Sequence, residues 1–150
     1  MNSMNDTEVV ARPESRQASH AHRLRGLVGT GLIATFAAMV ATTLAAALAQ
    51  AVGVDFEVSH GGESIPLSGF AVVTGFFSVV GVLLAAALLR WSARPAERFV
   101  QTAVTLTAIS LMPPLLSGAD IATSNALLGL HLIAATVMIP TLARSVRTPD

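Results

Sequence analysis

LSGFAVVTGFFSVVGVLLAAALLRW, residues 67–91, is the clearest structural signal in this sequence. The stretch carries no charge before Arg90, and up to that point its only polar side chains are serine and threonine hydroxyls. At 1.5 Å per residue, a helix of this length crosses the roughly 30 Å of hydrocarbon in a bilayer. A surface helix of a soluble protein would need a polar face, which is missing here. The stretch therefore predicts a transmembrane helix rather than a helix of a soluble bundle.

Three more stretches lack charge over comparable lengths. They are residues 26–54, 99–119 and 121–143, and each reaches the roughly 18 residues that indicate a transmembrane candidate. Only 12% of all residues are charged, against about 25% in soluble domains. We predict an all-α membrane protein, built as a bundle of four transmembrane helices over residues 26–144. The spans are placed near residues 26–51, 67–91, 96–117 and 121–144.

The basic residues are sorted along the chain. All nine are arginine, and they lie before the first span, around the connection between the second and third spans (90–98), and at or after the end of the fourth span. The other two connections hold no arginine and carry Asp55, Glu57, Glu63 and Asp120. Because arginine-rich connections stay in the cytoplasm, both termini and the 90–98 connection are predicted to be cytoplasmic.

The two ends of the chain are predicted to be tails. Residues 1–25 are polar without an apolar period, which predicts a disordered cytoplasmic tail, and residues 145–150 form a second cytoplasmic tail. An alternative concerns the first span, where Ala47–Ala49 resembles a signal-peptidase site after arginines and an apolar run. That run exceeds the roughly 7 to 15 residues of a signal core, so a retained helix is preferred.

The connection between the first two spans predicts a short extracytoplasmic β-hairpin. Residues 54–59 alternate strictly between apolar and polar side chains, and Gly61 and Gly62 follow them. His60 and Glu63 flank these glycines, so a metal site is an alternative there. A solvated turn is preferred, and we predict no metal site.

The connection between the last two spans predicts a tight external turn. Gly118 can end the third helix, and Asp120 can cap the fourth with its carboxylate. The third and fourth helices are therefore expected to be antiparallel neighbours.

His131 is the one ionisable residue near the middle of a span. Ionisable groups at that depth are costly and usually face the interior of the bundle. Counting back from the external turn places the hydroxyl of Ser110, in the third span, at about the same depth as His131. Two prolines there lack N–H groups, so carbonyls one turn earlier need other partners in hydrocarbon. These features define a candidate intramembrane polar site of His131, Ser110, Thr107, Pro113 and Pro114.

Two interpretations of this site remain open. In the first, a neutral His131 donates to Ser110 or to a freed carbonyl and locks a kinked third helix to the fourth. In the second, the kink and His131 line a pocket for a ligand or a proton, as broken helices do in transporters. No aspartate or glutamate lies within the neutral stretches, so a carboxylate relay is not expected.

Composition narrows the classes of function. The chain has no cysteine, which excludes disulfides, thiolate metal sites and cysteine nucleophiles. A formal net charge of zero gives no global attraction to nucleic acid. No catalytic residues and no cofactor are expected. The expected partners are the lipid bilayer and either a second copy of the chain or another membrane protein.

Several short motifs carry a resemblance. They are FEV at 56–58, SIPLSGF at 64–70, Arg94-Pro95, and HLIAA at 131–135 running on to Ile139-Pro140 and Arg144. Over residues 24–147 the chain resembles a family of small four-helix membrane proteins from actinobacteria, known as a domain of unknown function. The resemblance implies a protein of the bacterial inner (plasma) membrane and carries no activity to transfer.

The sequence thus favours a small multi-pass membrane protein acting as a non-enzymatic structural or accessory component. The second hypothesis is a small transporter or ligand-binding membrane protein that uses the site around His131. A membrane enzyme is the third, and it would need converging groups that only Asp55, Glu57, His60 and Glu63 outside the membrane could supply.

Overall fold

The structure, a computed structural model, describes residues 13–57, 64–116 and 118–147, with side chains from residue 18 onward. Within those residues the long elements are helices: α1 (Pro13–Ala51), α2 (Leu67–Trp91), α3 (Pro95–Ser110), α4 (Met112–Leu116) and α5 (Ile121–Ser145). Four helical stretches are long and apolar enough to cross a membrane, with α3 and α4 counted together. The predicted all-α class with four long apolar helices is confirmed, and it is consistent with a multi-pass membrane protein.

The helices form a ring of four. Helix α1 packs against α2 on one side and α5 on the other, and α3 closes the ring by contacting both α2 and α5. Within the described residues α1 and α3 make no contact, so they lie on the diagonal. Small side chains let α1 approach its neighbours closely: a Cβ atom added at Gly31 would lie 2.6 Å from Cγ2 of Val82 on α2. Helix α1 is therefore held on both sides.

Helix α1 begins well before the predicted start of the first span. It is helical from Pro13, so the prediction of a disordered tail over residues 1–25 is wrong for 13–25, while 1–12 lie outside the described residues. The physical reason is that an existing helix is extended more easily than a new one is started. Residues 14–25 contain good helix formers such as glutamate, glutamine, alanine and arginine. Extending a stable membrane helix by such residues avoids the cost of a new helix nucleus.

The predicted β-hairpin is not supported. Its turn, residues 58–63, lies outside the described residues, and the flanking residues form a single isolated antiparallel bridge between Glu57 and Ser64 rather than strands. Phe56 has a φ of 51°, outside the β region, and its side chain is fully buried. A residue that turns its ring into the bundle in this conformation interrupts the alternation that a strand needs.

The third predicted span is broken. Helix α3 ends at Ser110, and the short helix α4 starts at Met112. The break lies just before Pro113 and Pro114, as expected from prolines that lack an N–H and clash with the preceding turn. The N–H of Leu111 bonds back to the carbonyl oxygens of Thr107 and Ala108, at 3.2 and 3.3 Å.

Candidate functional site

His131 lies half-buried in the middle of α5. Its ring Nδ1 is 2.8 Å from the carbonyl oxygen of Leu127, one turn earlier in the same helix. A carbonyl only accepts, so Nδ1 carries the proton in this bond, and Nε2 of the neutral ring is left as an acceptor. The ring therefore bonds to its own helix, rather than to α3 as the first interpretation expected.

The α3 residues of the predicted site also bond locally. The hydroxyl of Ser110 donates to the carbonyl oxygen of Thr107 at 2.7 Å, and both residues are half-buried. No hydrogen bond between described residues joins either of them to His131. The hydroxyl of Ser110 and the ring of His131 are thus each hydrogen-bonded within their own helix.

The two prolines fall at a different depth. Pro114 is buried and Pro113 is exposed. The hydroxyl of Ser124, near the start of α5, lies 3.5 Å from the Pro114 carbonyl oxygen, at the limit of a hydrogen bond. Because Ser124 precedes His131 by about two helical turns, the proline break lies nearer the α4–α5 turn than the histidine. The five predicted residues are spread over α3, α4 and α5 and do not form a single hydrogen-bonded cluster.

A second polar group, between α1 and α2, was not predicted as a site. The hydroxyls of Thr42 and Thr74 are joined by a hydrogen bond of 3.1 Å, and Thr42 also bonds the carbonyl oxygen of Ala38 at 2.8 Å. Among the described side chains, the buried hydroxyl of Thr35 has no hydrogen-bond partner. Thr35 and Thr42 are seven residues apart, so they lie on the same face of α1. That spacing does not show which hydroxyl bonds to α2.

One end of the bundle, here called the acidic end, carries Asp55, Glu57 and Asp120. A groove of about 370 Å³ opens there, lined by Gly53, Asp55, Glu57, Gly118, Ala119, Asp120 and Thr123. The carboxylate of Asp120 accepts from the backbone N–H of Thr123 at 2.9 Å, which confirms the predicted cap of α5. Hydrogen bonds from the side chain and then the backbone of Thr123 hold the pKa of Asp120 below its usual value. In the part of the chain that the structure describes, no three His, Asp or Glu side chains gather as metal ligands would.

The acidic end is closed by one loop residue. The side chain of Phe56 is 0% exposed and packs in a cluster with Ala46, Phe70, Leu127 and Leu130. Its ring meets that of Phe70 edge to face, with the centroids 4.8 Å apart. The loop after α1 is thereby fixed over the helix ends, beneath the open groove.

The opposite end, here called the basic end, carries the seven arginines whose side chains the structure describes: Arg23, Arg25, Arg90, Arg94, Arg98, Arg144 and Arg147. Beneath them lies an apolar plug supplied by the helices and by the residue that follows α5. It contains Leu27, Leu89, Phe99, Leu142 and Val146, all buried. The plug directs the guanidinium groups outward, and six of the seven are exposed.

Comparison with known proteins gives a family and no activity. Residues 22–148 match a family described as "Family of unknown function (DUF6069)". No curated protein and no solved structure matches the chain. The match covers most of the chain, and it agrees with the resemblance to a family of unknown function. The chain belongs to DUF6069, a family of unknown function.

Proposed function

We propose that the chain is a multi-pass protein of the bacterial inner membrane, with both termini in the cytoplasm, acting as a non-enzymatic structural or accessory component. The observation that carries the membrane assignment is the outer surface of the bundle. Large apolar side chains point outward along the four long helices; Ile33, Phe36 and Leu83 are 74%, 70% and 64% exposed. A surface of this kind is stable in hydrocarbon and would aggregate in water.

The accessory role is supported by how the interior is filled. The buried faces hold mainly alanine, leucine and phenylalanine, with threonine and serine hydroxyls between them. Thr42, Ser110 and His131 each hydrogen-bond a carbonyl of their own helix. Polar groups that are satisfied within their own helix need no ligand as a partner.

A topology experiment tests the membrane assignment. Reporter fusions after Arg94 and Arg147 should be active in the cytoplasm, and fusions after Asp55 and Ala119 outside it. The chain should also remain with the membrane after a carbonate wash. A cytoplasmic signal after Asp55, or release into the wash, would contradict the proposal.

The accessory role is tested by native electrophoresis of the tagged full chain from mildly solubilised membranes. An accessory component should migrate in an assembly whose mass is well above that of the single 15.5 kDa chain with its bound detergent. Deleting its gene should then lower the stability of the assembly's other members. Migration as a single chain, with those members unaffected, would argue against the role.

The second candidate is a small transporter or ligand-binding protein using His131. It is favoured by the break between α3 and α4 and by Nε2 of His131, which the Nδ1 bond to Leu127 leaves for another partner. The substitution His131→Leu should then abolish binding or transport while the helices still fold. His131→Gln is a matched variant that keeps a polar group. If His131→Leu only lowers the unfolding temperature, the residue is structural.

A further inference from the structure

We propose that the basic end is a binding surface for the phosphate groups of anionic phospholipids, centred on the corner between α1 and α5. This rests on the proposed membrane location and adds a lipid specificity to it. The occupant is the anionic headgroup of the surrounding leaflet. The corner is formed by Arg23 and Arg25 of α1, Arg144 of α5, and Arg147 just beyond α5.

The first argument is that contacts fix this corner. A guanidinium nitrogen (Nη2) of Arg23 donates to the backbone carbonyl of Arg147, at 3.3 Å. Leu142 and Val146 are both 0% exposed and hold the end of α5 in the apolar plug. The chain around Val146 is thus held beside the part of α1 that carries Arg23 and Leu27. Arg23 and Arg147 are therefore held together above a packed backbone, and Arg25 and Arg144 lie within three residues of them along the chain.

The second argument is uncompensated charge. Among the described side chains the single salt bridge is Arg94–Glu97, at 3.5 Å, and it lies at the α2–α3 corner. The other six described arginines have no ion pair. Among the described side chains, no carboxylate lies at the α1–α5 corner, so the described charge there is positive and attracts an anion. The α2–α3 corner is partly neutralised by Glu97.

The third argument is chemistry and depth. All nine basic residues of the chain are arginine, whose planar guanidinium donates two parallel hydrogen bonds to a phosphate. Arg25 lies two residues before the buried Leu27, and Arg144 directly follows the buried Ala143. The guanidinium groups therefore project where the apolar helices emerge, at the level of lipid phosphates. Trp91, 78% exposed beside Arg90, is typical of the same interface.

The test uses the purified full chain in a neutral detergent. Phosphatidylglycerol or phosphatidylcholine is titrated into the micelles, while thermal unfolding is followed and bound lipids are counted by native mass spectrometry. Phosphatidylglycerol should raise the unfolding temperature saturably, and phosphatidylcholine should not. Equal shifts by both lipids, or an equal shift by inorganic phosphate alone, would overturn a site for anionic lipid.

Two matched triple variants locate the site. The corner variant is Arg23→Gln with Arg144→Gln and Arg147→Gln; the control, Arg90→Gln with Arg94→Gln and Arg98→Gln, removes the same charge. The apparent affinity for phosphatidylglycerol should fall roughly fivefold per corner arginine and much less in the control. Equal losses would indicate diffuse attraction and overturn the corner site.

Two further readouts separate the causes of a failure. Arg144→Gln alone changes an exposed side chain, so it keeps the test valid if the triple variant does not fold; it should weaken phosphatidylglycerol binding about fivefold. If the fusions and carbonate wash place the chain in the membrane but phosphatidylglycerol has no effect, only the lipid site fails. If the chain is washed off the membrane, the proposed function fails first.

Discussion

The two ends of the bundle are closed in different ways. At the basic end Leu27, Leu89, Phe99 and Leu142 of four different helices meet in one buried plug. At the acidic end Phe56, a loop residue in a left-handed backbone conformation, fills the space between the helix ends. A groove of about 370 Å³ remains above it, whereas the basic end carries arginines on a packed base.

This difference shows that charge and packing at the helix ends are separate properties. In the proposed orientation, the charges place the arginines at the cytoplasmic surface of the membrane and the carboxylates at the opposite surface. The packing decides how firmly each end holds its helices. An end closed by four helices depends on many contacts, while an end closed by one loop side chain depends mostly on that residue.

The largest expected effect comes from Phe56→Ala at the acidic end. It removes a fully buried ring that contacts Phe70, and truncation of such a ring costs about 3 to 5 kcal/mol of unfolding free energy. Phe36→Ala, at a 70% exposed ring, is the matched control and should change little. Reversible unfolding in mixed micelles measures both. Similar losses of unfolding free energy in the two variants would contradict the role of Phe56 in closing the acidic end.

The substitution Leu142→Ala, at the basic end, should lower the unfolding free energy slightly less than Phe56→Ala does. Leu142 is 0% exposed, and truncating a buried leucine costs about 2 to 5 kcal/mol. Leu132→Ala, half-exposed on the same helix, is the control. Hydrogen exchange should show loosening of all four helix ends, since the plug is shared. Loosening confined to α5 would contradict the description of a shared plug.

The seam between α1 and α2 joins the ends, and its half nearer the basic end depends on Gly31. The substitution Gly31→Ala forces a Cβ atom against the stiff Val82 side chain and should cost about 1 to 3 kcal/mol. Gly29→Ala meets nothing within 4 Å, so it should lose no stability and should gain up to about 1 kcal/mol from the better helix propensity of alanine. Adding Val82→Ala to Gly31→Ala should recover part of the loss. A neutral Gly31→Ala would show that the helices are not in close contact there.

Farther along the seam, the Thr42–Thr74 hydrogen bond should contribute less. Hydroxyl bonds between membrane helices average about 0.6 kcal/mol in double-mutant cycles. A cycle of Thr42→Val, Thr74→Val and the double variant should give a coupling energy of that order. Zero coupling would assign the effect of Thr42 to its bond with the Ala38 carbonyl.

The smallest effect is expected from Asp120 at the acidic end. Its pKa in the folded chain is below the usual 3.8, so the charged cap stabilises the fold above that value, and this contribution is lost as the pH falls through the lowered pKa. The unfolding temperature of Asp120→Ala should be slightly below that of the wild type at pH 7, and the difference should shrink below about pH 4. Asp120→Asn preserves the cap and serves as the control. A pH-independent difference would assign no role to the charge.

Part of the candidate site was predictable. Proline chemistry predicted a disturbed third span, and α3 indeed ends at Ser110. Spacing alone did not show that His131 and Ser110 would bond separately. Each side chain has a carbonyl acceptor in its own helix, and such a local bond does not require two helices to be brought together. The hairpin prediction failed because alternation in residues 54–59 cannot show that Phe56 turns inward.

The sequence by itself determined the number of long apolar helices and the sorting of charge between connections, because both follow from the cost of placing charge in hydrocarbon, residue by residue. The tertiary structure alone decided that α1 contacts α2 and α5 but not α3. It also placed Phe56 in the acidic end and gathered Arg23 with Arg147. These features depend on contacts between residues far apart in the chain, which neither local hydrophobicity nor periodicity specifies.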